Sequence, residues 1–195
     1  MSSRRPARTD RKVRRGQTGG DANVTGKDEQ RAWPAVGEFE FKAAIRQVAS
    51  AVFVLTARSG EKVSGLTATS LCSVSSEPPL VLVSVNSQAT VERLVSESGA
   101  FAVNFLSEDQ HRIGRLFTGT EFTSRERFAE GVWEKLVTGA PILDAAMATF
   151  DCVVESTFVH GSHTIFFGRV VAALSLDQEC LIYRDGSFRR LAPVI

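Results

Sequence analysis

Val63 to Leu82, V-S-G-L-T-A-T-S-L-C-S-V-S-S-E-P-P-L-V-L, lies between two runs that read as strands, Val52 to Ala57 and Leu80 to Val85. Hydroxyls at Thr67, Thr69, Ser70, Ser73, Ser75 and Ser76 alternate with apolar Leu66, Ala68, Leu71 and Val74. That period of two predicts extended chain with one face toward a core. Thr69 and Ser70 are consecutive, which predicts a bulge or turn between them. Glu77-Pro78-Pro79 closes the stretch, because proline fixes φ and carries no N–H for the ladder. Short hydroxyl side chains let a flat molecule approach the backbone and hydrogen-bond to it. Taken by composition alone, the same residues also describe an ordinary Ser/Thr-rich hairpin.

Working outward, Phe41, Ala44, Ile45, Val48 and Ala49 recur at helical spacing and predict a helix from about Glu38 to Ser50. Arg58 to Lys62 reads as the turn into the central stretch. A short helix is predicted near Thr90 to Ser96, followed by an apolar strand, Phe101 to Leu106. Ser107-Glu108-Asp109-Gln110 has the capping-box spacing and opens a helix to about Phe117. Residues 118–141 read as loop with one or two helical turns, with Phe122, Phe128 and Trp133 packing on the body. Two long strand patterns, Ala148–Val159 and His163–Leu174, flank His160-Gly161-Ser162. Asp185-Gly186 joins Leu181–Arg184 to Ser187–Leu191 as a hairpin. Many strands and few helices predict a mainly β fold, a barrel with peripheral helices.

A chain of 195 residues with 43% apolar content suits one domain with its own core. Residues 1–35 hold nine Lys/Arg against four Asp/Glu, while the whole chain carries only +1, so the body is net acidic. The basic end, residues 1–37, is polar and poor in aliphatics, which predicts a disordered tail ahead of a domain at 38–195. No aromatic interleaves its arginines, which argues against nucleic acid as a partner. Cys72, Cys152 and Cys180 are an odd number without a C-x-x-C pair, so neither a disulfide framework nor a cysteine metal site is expected. With no apolar run near the ~20 residues that span a bilayer, a cytoplasmic protein is expected. No G-x-G-x-x-G or P-loop string is present, which disfavours a Rossmann nucleotide site.

G-L-T-A-T-S followed by S-V-S-x-x-P-P-L-V resembles the flavin-binding segment of the short-chain NAD(P)H:flavin oxidoreductases, the reductase components of two-component monooxygenases. Further pieces agree in order: F-A-V-N-F-L-S-E-D-Q at 101–110, G-x-P-I-L at 139–143, G-S-H-T-I-F-F-G-R-V at 161–170 and L-I-Y-R-D-G-S-F at 181–188. The resemblance spans roughly Phe41 to Leu191. It implies a Greek-key-like split β-barrel, a homodimer, and hydride transfer from NADH or NADPH (NADH favoured) to FMN or FAD. Reduced flavin would then pass to a partner monooxygenase. The alternative of another class is a split-barrel module that holds flavin or haem without turnover.

Residue by residue, the resemblance places Gly65, Leu66, Thr67, Ala68, Thr69 and Ser70 along the flavin ring, with Ser73, Val74 and Ser75 beside it. Thr69 or Ser70 would meet the N5/O4 edge, the alternative being that each satisfies neighbouring backbone. Asn86, Ser87 and Thr90 fall in the ribityl and phosphate region, where Ala89 replaces the family's usual serine. Asn104 is the polar member of a cofactor-adjacent strand, and Gln110 is either a contact or a helix cap. Ser162 and His163 match the family's G-D-H or G-T-H turn, which implies that His163 positions the nicotinamide or hydrogen-bonds the reduced ring. Tyr183 would stack near the flavin or pack in the core. Arg169, Arg184, Arg189 and Arg190 are the candidate cations for phosphate.

Overall fold

A computed structural model describes residues 33–193. The chain divides into two units, residues 1–36 and 37–195. In the first unit only residues 33–36 are described, and they form neither helix nor strand; the predicted basic tail otherwise lies outside the described residues.

The second unit opens with α1 (Glu38–Ile45), followed by β1 (Ser50–Ala51), β2 (Phe53–Ser59), β3 (Lys62–Ala68), β4 (Leu71–Ser76), β5 (Pro79–Asn86), α2 (Thr90–Ser98) and β6 (Ala100–Phe105). A 3-10 turn (Glu108–Gln110) leads into α3 (His111–Leu116) and then α4 (Ser124–Phe128). The remainder is β7 (Trp133–Lys135), β8 (Pro141–Leu143), β9 (Ala148–His160), β10 (His163–Ser175), β11 (Ile182–Arg184) and β12 (Ser187–Arg189). Seven strands form one antiparallel sheet in the order β3-β2-β6-β9-β10-β5-β4.

Two observations show that this sheet curls. Phe53, Leu55 and Ala57 of β2 share a core cluster with Val81, Val83 and Val85 of β5, although three strands separate β2 from β5 in the ladder. In addition, β3 and β4 occupy opposite edges of the sheet yet are consecutive in the chain, joined by Thr69 and Ser70 alone. Ala68 and Leu71 therefore lie no more than about 11 Å apart, the reach of three extended residues. The edges approach at that corner without pairing, which makes the barrel split. Val91, Leu94 and Val95 of α2 fill its interior. On the other face of β2, Val52 and Val54 pack with Leu106, Ile113, Phe117 and Leu181 in a second cluster. A strand buried on both faces reads as a continuous apolar run, as Val52 to Leu55 does.

Three local expectations change. The first helix stops at Ile45, because Ser50 and Ala51 are drawn into pairing with Tyr183 and Ile182 of β11. None of its residues is buried: Phe39 is 80% and Phe41 57% exposed. The strand break at Thr69-Ser70 is a corner between two strands, and the bulge falls at Val74 instead, between the Ser73 and Ser75 pairings. Pro79 does not leave the ladder; it starts β5, opposite Ser76, where a first strand residue needs no N–H.

Gly168 of β10 sits where Phe101 crosses the sheet: a Cβ there would fall 2.4 Å from Phe101 Cζ and 3.0 Å from Cys152 Cβ. Gly168→Ala should lower stability by about 1–3 kcal/mol through overpacking, measured by urea unfolding. The neighbouring Cys152 thiol is pushed up to about 12 by burial and, secondly, by the Asp151 carboxylate. Below the ordinary thiol range both states are protonated and the residue contributes no pH dependence. Above it only the unfolded chain ionises, so stability should fall as pH rises toward 12, by about 1 kcal/mol per unit. Urea midpoints at increasing alkaline pH, compared with Cys152→Ala, should show this extra slope in the wild type alone.

Candidate active site

β3 runs along two adjoining clefts. The first, about 290 Å³, is walled by Ser64, Gly65 and Leu66, by Gln88, Ala89 and Thr90 ahead of α2, and by Gly119, Phe122 and Arg127. The second, about 220 Å³, is lined by Val52, Thr67, Ala68, Thr69, Thr118 and Tyr183. A further hollow of about 380 Å³ extends it past Thr69, Ser70 and Tyr183 to Ser50, Arg46 and Asp185. The two clefts share no lining residue but follow one another along the chain, Leu66 to Thr67 and Thr118 to Gly119.

Within the second cleft the hydroxyls differ in availability. Thr67 donates to the Gly114 carbonyl (2.7 Å), and Thr118 donates to the same oxygen (2.8 Å). Ser70 donates to Ser84 O (2.7 Å) and fastens the corner to β5. Thr69 makes no hydrogen bond among the described residues and lines both parts of the cleft. Tyr183 is 40% exposed and leans edge-on against Phe188 at 5.8 Å, so one ring face stays open. Gly65 is required by packing: a Cβ would lie 2.9 Å from both Leu55 O and Phe117 Cε1.

The first cleft is electropositive by construction. Ala89, the N-cap of α2, offers no side-chain acceptor, so first-turn N–H groups are left toward Thr90 and Val91. Arg127 donates to Gly65 O (3.1 Å) and Gly119 O (2.6 Å) and lies 5.9 Å over the Phe117 ring. Its buried Nε has no hydrogen-bond partner among the described residues, and burial pulls its guanidinium down from the ordinary range. Neutral carbonyls thus hold a full cation at the cleft wall, where an anion would complete it.

Asn86, Ser87, Ser162 and His163 line none of these clefts; they gather at the end of the β5–β10 pair, Ser87 preceding Gln88 of the first cleft in the chain. Asn86 Oδ1 accepts from Gln88 N (2.9 Å) and shapes the loop into an Asx turn. β10 pairs with β5 so that His163 stands opposite Asn86. Ser87 N donates to Ser162 O (3.0 Å), and Ser162 Oγ meets His163 Nδ1 at 2.9 Å.

Five of the expected residues stand apart from the clefts. Ser73, Val74 and Ser75 lie on the outer edge strand β4, where Ser75 Oγ accepts from Glu77 N. Asn104 is fully buried: Nδ2 lies 3.2 Å from Val54 O, 3.3 Å from Thr56 Oγ1 and 3.4 Å from Pro141 O, and Oδ1 accepts from Leu143 N (2.8 Å). Gln110 caps its own turn, accepting from Ser107 N and donating to Ala145 O. Among the candidate cations, Arg169 pairs with Glu155, Arg190 with Glu108, and Arg184 donates to Gln47. Arg127 was missed in favour of these; its one signal is the capping box Thr123-x-x-Glu126 that places it on α4.

The β-rich split barrel, with a hydroxyl-lined cleft and an electropositive one in succession along β3, defines a flavin-binding class. The sequence matches the flavin reductase like domain model over residues 45–192, and the chain belongs to that family. It is 40% identical over 137 residues to the FMN reductase (NADH) RutF of Pseudomonas syringae pv. syringae, covering 70% of this chain and 76% of that one. Among solved structures it resembles NADH:FAD oxidoreductase SgcE6 of Streptomyces globisporus in complex with NAD and FAD fragments (31% identity, TM-score 0.73, 80% of this chain and 93% of that one). It also resembles BorF, the flavin reductase component of a bacterial two-component tryptophan halogenase (31%, TM-score 0.74, 81% and 100%). No helix among the described residues is long and apolar enough to cross a membrane.

Asn104→Ala should cost about 3 kcal/mol, because Leu143 N–H and several buried acceptors lose their partner. Calorimetric FMN affinity of the folded variant should be unchanged; a large loss of affinity at unchanged stability would return Asn104 to the ligand.

Proposed function

We propose that this chain is an NADH-dependent flavin reductase that takes FMN across the two clefts and hands reduced flavin to a partner oxygenase. The carrying observation is the succession along β3 of a cleft bearing the Thr69 hydroxyl and the part-exposed Tyr183 and an electropositive one at α2 and Arg127. The first suits a tricyclic ring and the second a phosphate. Bound flavin supplies the chemistry by accepting hydride at N5 from the nicotinamide C4.

The chain's own residues bind, orient and exclude. Thr69 and main-chain groups of the corner hydrogen-bond the ring edge, and Tyr183 packs on it. Thr90 presents a hydroxyl to the phosphate; Ser87 does not, since its hydroxyl is engaged with Thr164 at 3.1 Å. Ser162 fixes the His163 ring through Nδ1, leaving Nε2 toward the nicotinamide side. The RutF likeness favours FMN.

A homodimer belongs to the same reading. Phe41, Ile45 and Val48 are exposed, with Ile45 and Val48 lining the Thr69–Tyr183 hollow, and a second copy would cover them and wall the ring. A cytoplasmic setting fits an NADH-dependent enzyme with three free thiols.

Nicotinamide absorbance followed with FMN, FAD and riboflavin tests the reading directly. NADH oxidation should require added flavin and be fastest with FMN, whereas a coloured protein inert to NADH would rule out a reductase. His163→Ala should lower turnover with NADH about tenfold while sparing FMN binding, the size of one lost hydrogen bond in the transition state.

A further inference from the structure

Thr164 follows His163 on β10 and is 1% exposed. Its hydroxyl lies 2.9 Å from Glu92 Oε1 and 3.1 Å from Ser87 Oγ. A carboxylate only accepts, so the single Thr164 proton goes to Glu92, and Ser87 must donate to Thr164. The direction of the chain is thereby fixed, from Ser87 through Thr164 to Glu92.

Glu92 is the third residue of α2, counted from the Ala89 N-cap. Behind a Ser or Thr N-cap a glutamate at that position folds back onto the N-cap N–H, and anywhere in the first turn a free carboxylate is drawn to the exposed N–H groups. Here it does not: α2 has no side-chain cap, and Oε1 is turned toward Thr164, with Ser96 Oγ at 3.4 Å. At the N-terminus of α4, by contrast, Glu126 does fold back, accepting from Thr123 N (2.8 Å) and Oγ1 (2.7 Å). The two helices differ at the N-cap and beyond it. Thr123 gives its N–H and hydroxyl to Glu126, whereas the Ala89 N–H goes to Asn86 O (2.9 Å), leaving the Thr90 and Val91 N–H groups for an anion, and the buried Thr164 hydroxyl takes Glu92. The same Ser87 that completes the chain also ties its N–H to Ser162 O, so the His163 turn and α2 share one anchor.

We propose that Thr164 determines preference for phosphorylated flavin: it holds the Glu92 carboxylate off the α2 N-terminus, so that a phosphate monoester can take the place a capping carboxylate would fill. Thr164 touches no substrate and acts as a positioning residue. The inference rests on the placement of the flavin phosphate under the function proposed above.

The test compares FMN with riboflavin, which has the same ring and no phosphate, by flavin fluorescence quenching. Thr164→Val keeps the shape and removes the hydroxyl. It should raise the FMN Kd about fivefold, the size of a charge effect at a helix end, and leave riboflavin unchanged. Thr164→Ser should behave as wild type, and Thr164→Val with Glu92→Gln should recover FMN affinity. Equal weakening of both flavins, or no recovery in the double variant, overturns the proposal. Should valine block folding, Thr164→Ala carries the same comparison. If the wild type itself binds FMN no better than riboflavin, the phosphate placement falls first and this inference with it; a wild-type preference for FMN that survives Thr164→Val overturns the inference alone.

Discussion

Two residues join the opposite edges of a seven-stranded sheet. Thr69 and Ser70 are all that lie between β3 and β4, and such a short link cannot span a flat sheet of that width. Neighbouring strands stand about 4.8 Å apart, so seven of them laid flat would put the edges nearly 30 Å from one another. The sheet must therefore curl until the edges almost meet, and α2 fills the space enclosed. The same corner that forces the curl is where β3 and β4 fail to pair. Unpaired backbone and small side chains are thus presented to a ligand at the one place where the barrel cannot close.

Which hydroxyls are left for a ligand follows from how that corner is fastened. Ser70 is bound to Ser84 on β5, and Thr67 and Thr118 converge on a single carbonyl at the end of α3. These bonds hold β3 and its flanking loop in place, and they remove three hydroxyls from availability. Thr69, at the apex, has no strand partner to satisfy. A frame that engages Thr67, Ser70 and Thr118 while leaving Thr69 gives a site more definite than the Ser/Thr-rich composition suggests.

Electrostatic complementarity comes from the opposite arrangement. Several arginines on this surface meet a carboxylate, as Arg169 meets Glu155 and Arg190 meets Glu108, whereas Arg127 is held by two main-chain carbonyls and an aromatic face. Carbonyl dipoles orient a guanidinium without cancelling its charge. Beside it, an alanine at the start of α2 leaves the helix dipole uncapped. Two partial solutions for an anion, neither sufficient alone, face one cleft.

By itself the sequence determined the element types, because their periods are local: strand runs at 52–57 and 80–85, a helix near Thr90 to Ser96, and the Asp185-Gly186 hairpin all read from neighbouring residues, and the structure shifts only their bounds. It also determined the family, through motifs kept in order over most of the chain. Only the tertiary structure decided which members of the hydroxyl-rich stretch are free, since Gly114 O and Ser84 O reach Thr67 and Ser70 from 47 and 14 residues away. The same holds for Asn104, whose polar side chain on an apolar strand reads as a ligand contact until Pro141 and Leu143 close over it. Arg127 was invisible for a related reason: nothing in its own segment distinguishes it from a solvated helix residue. Hydrogen-bond partners and burial depend on contacts between distant segments, and period, capping and turn chemistry carry no record of them.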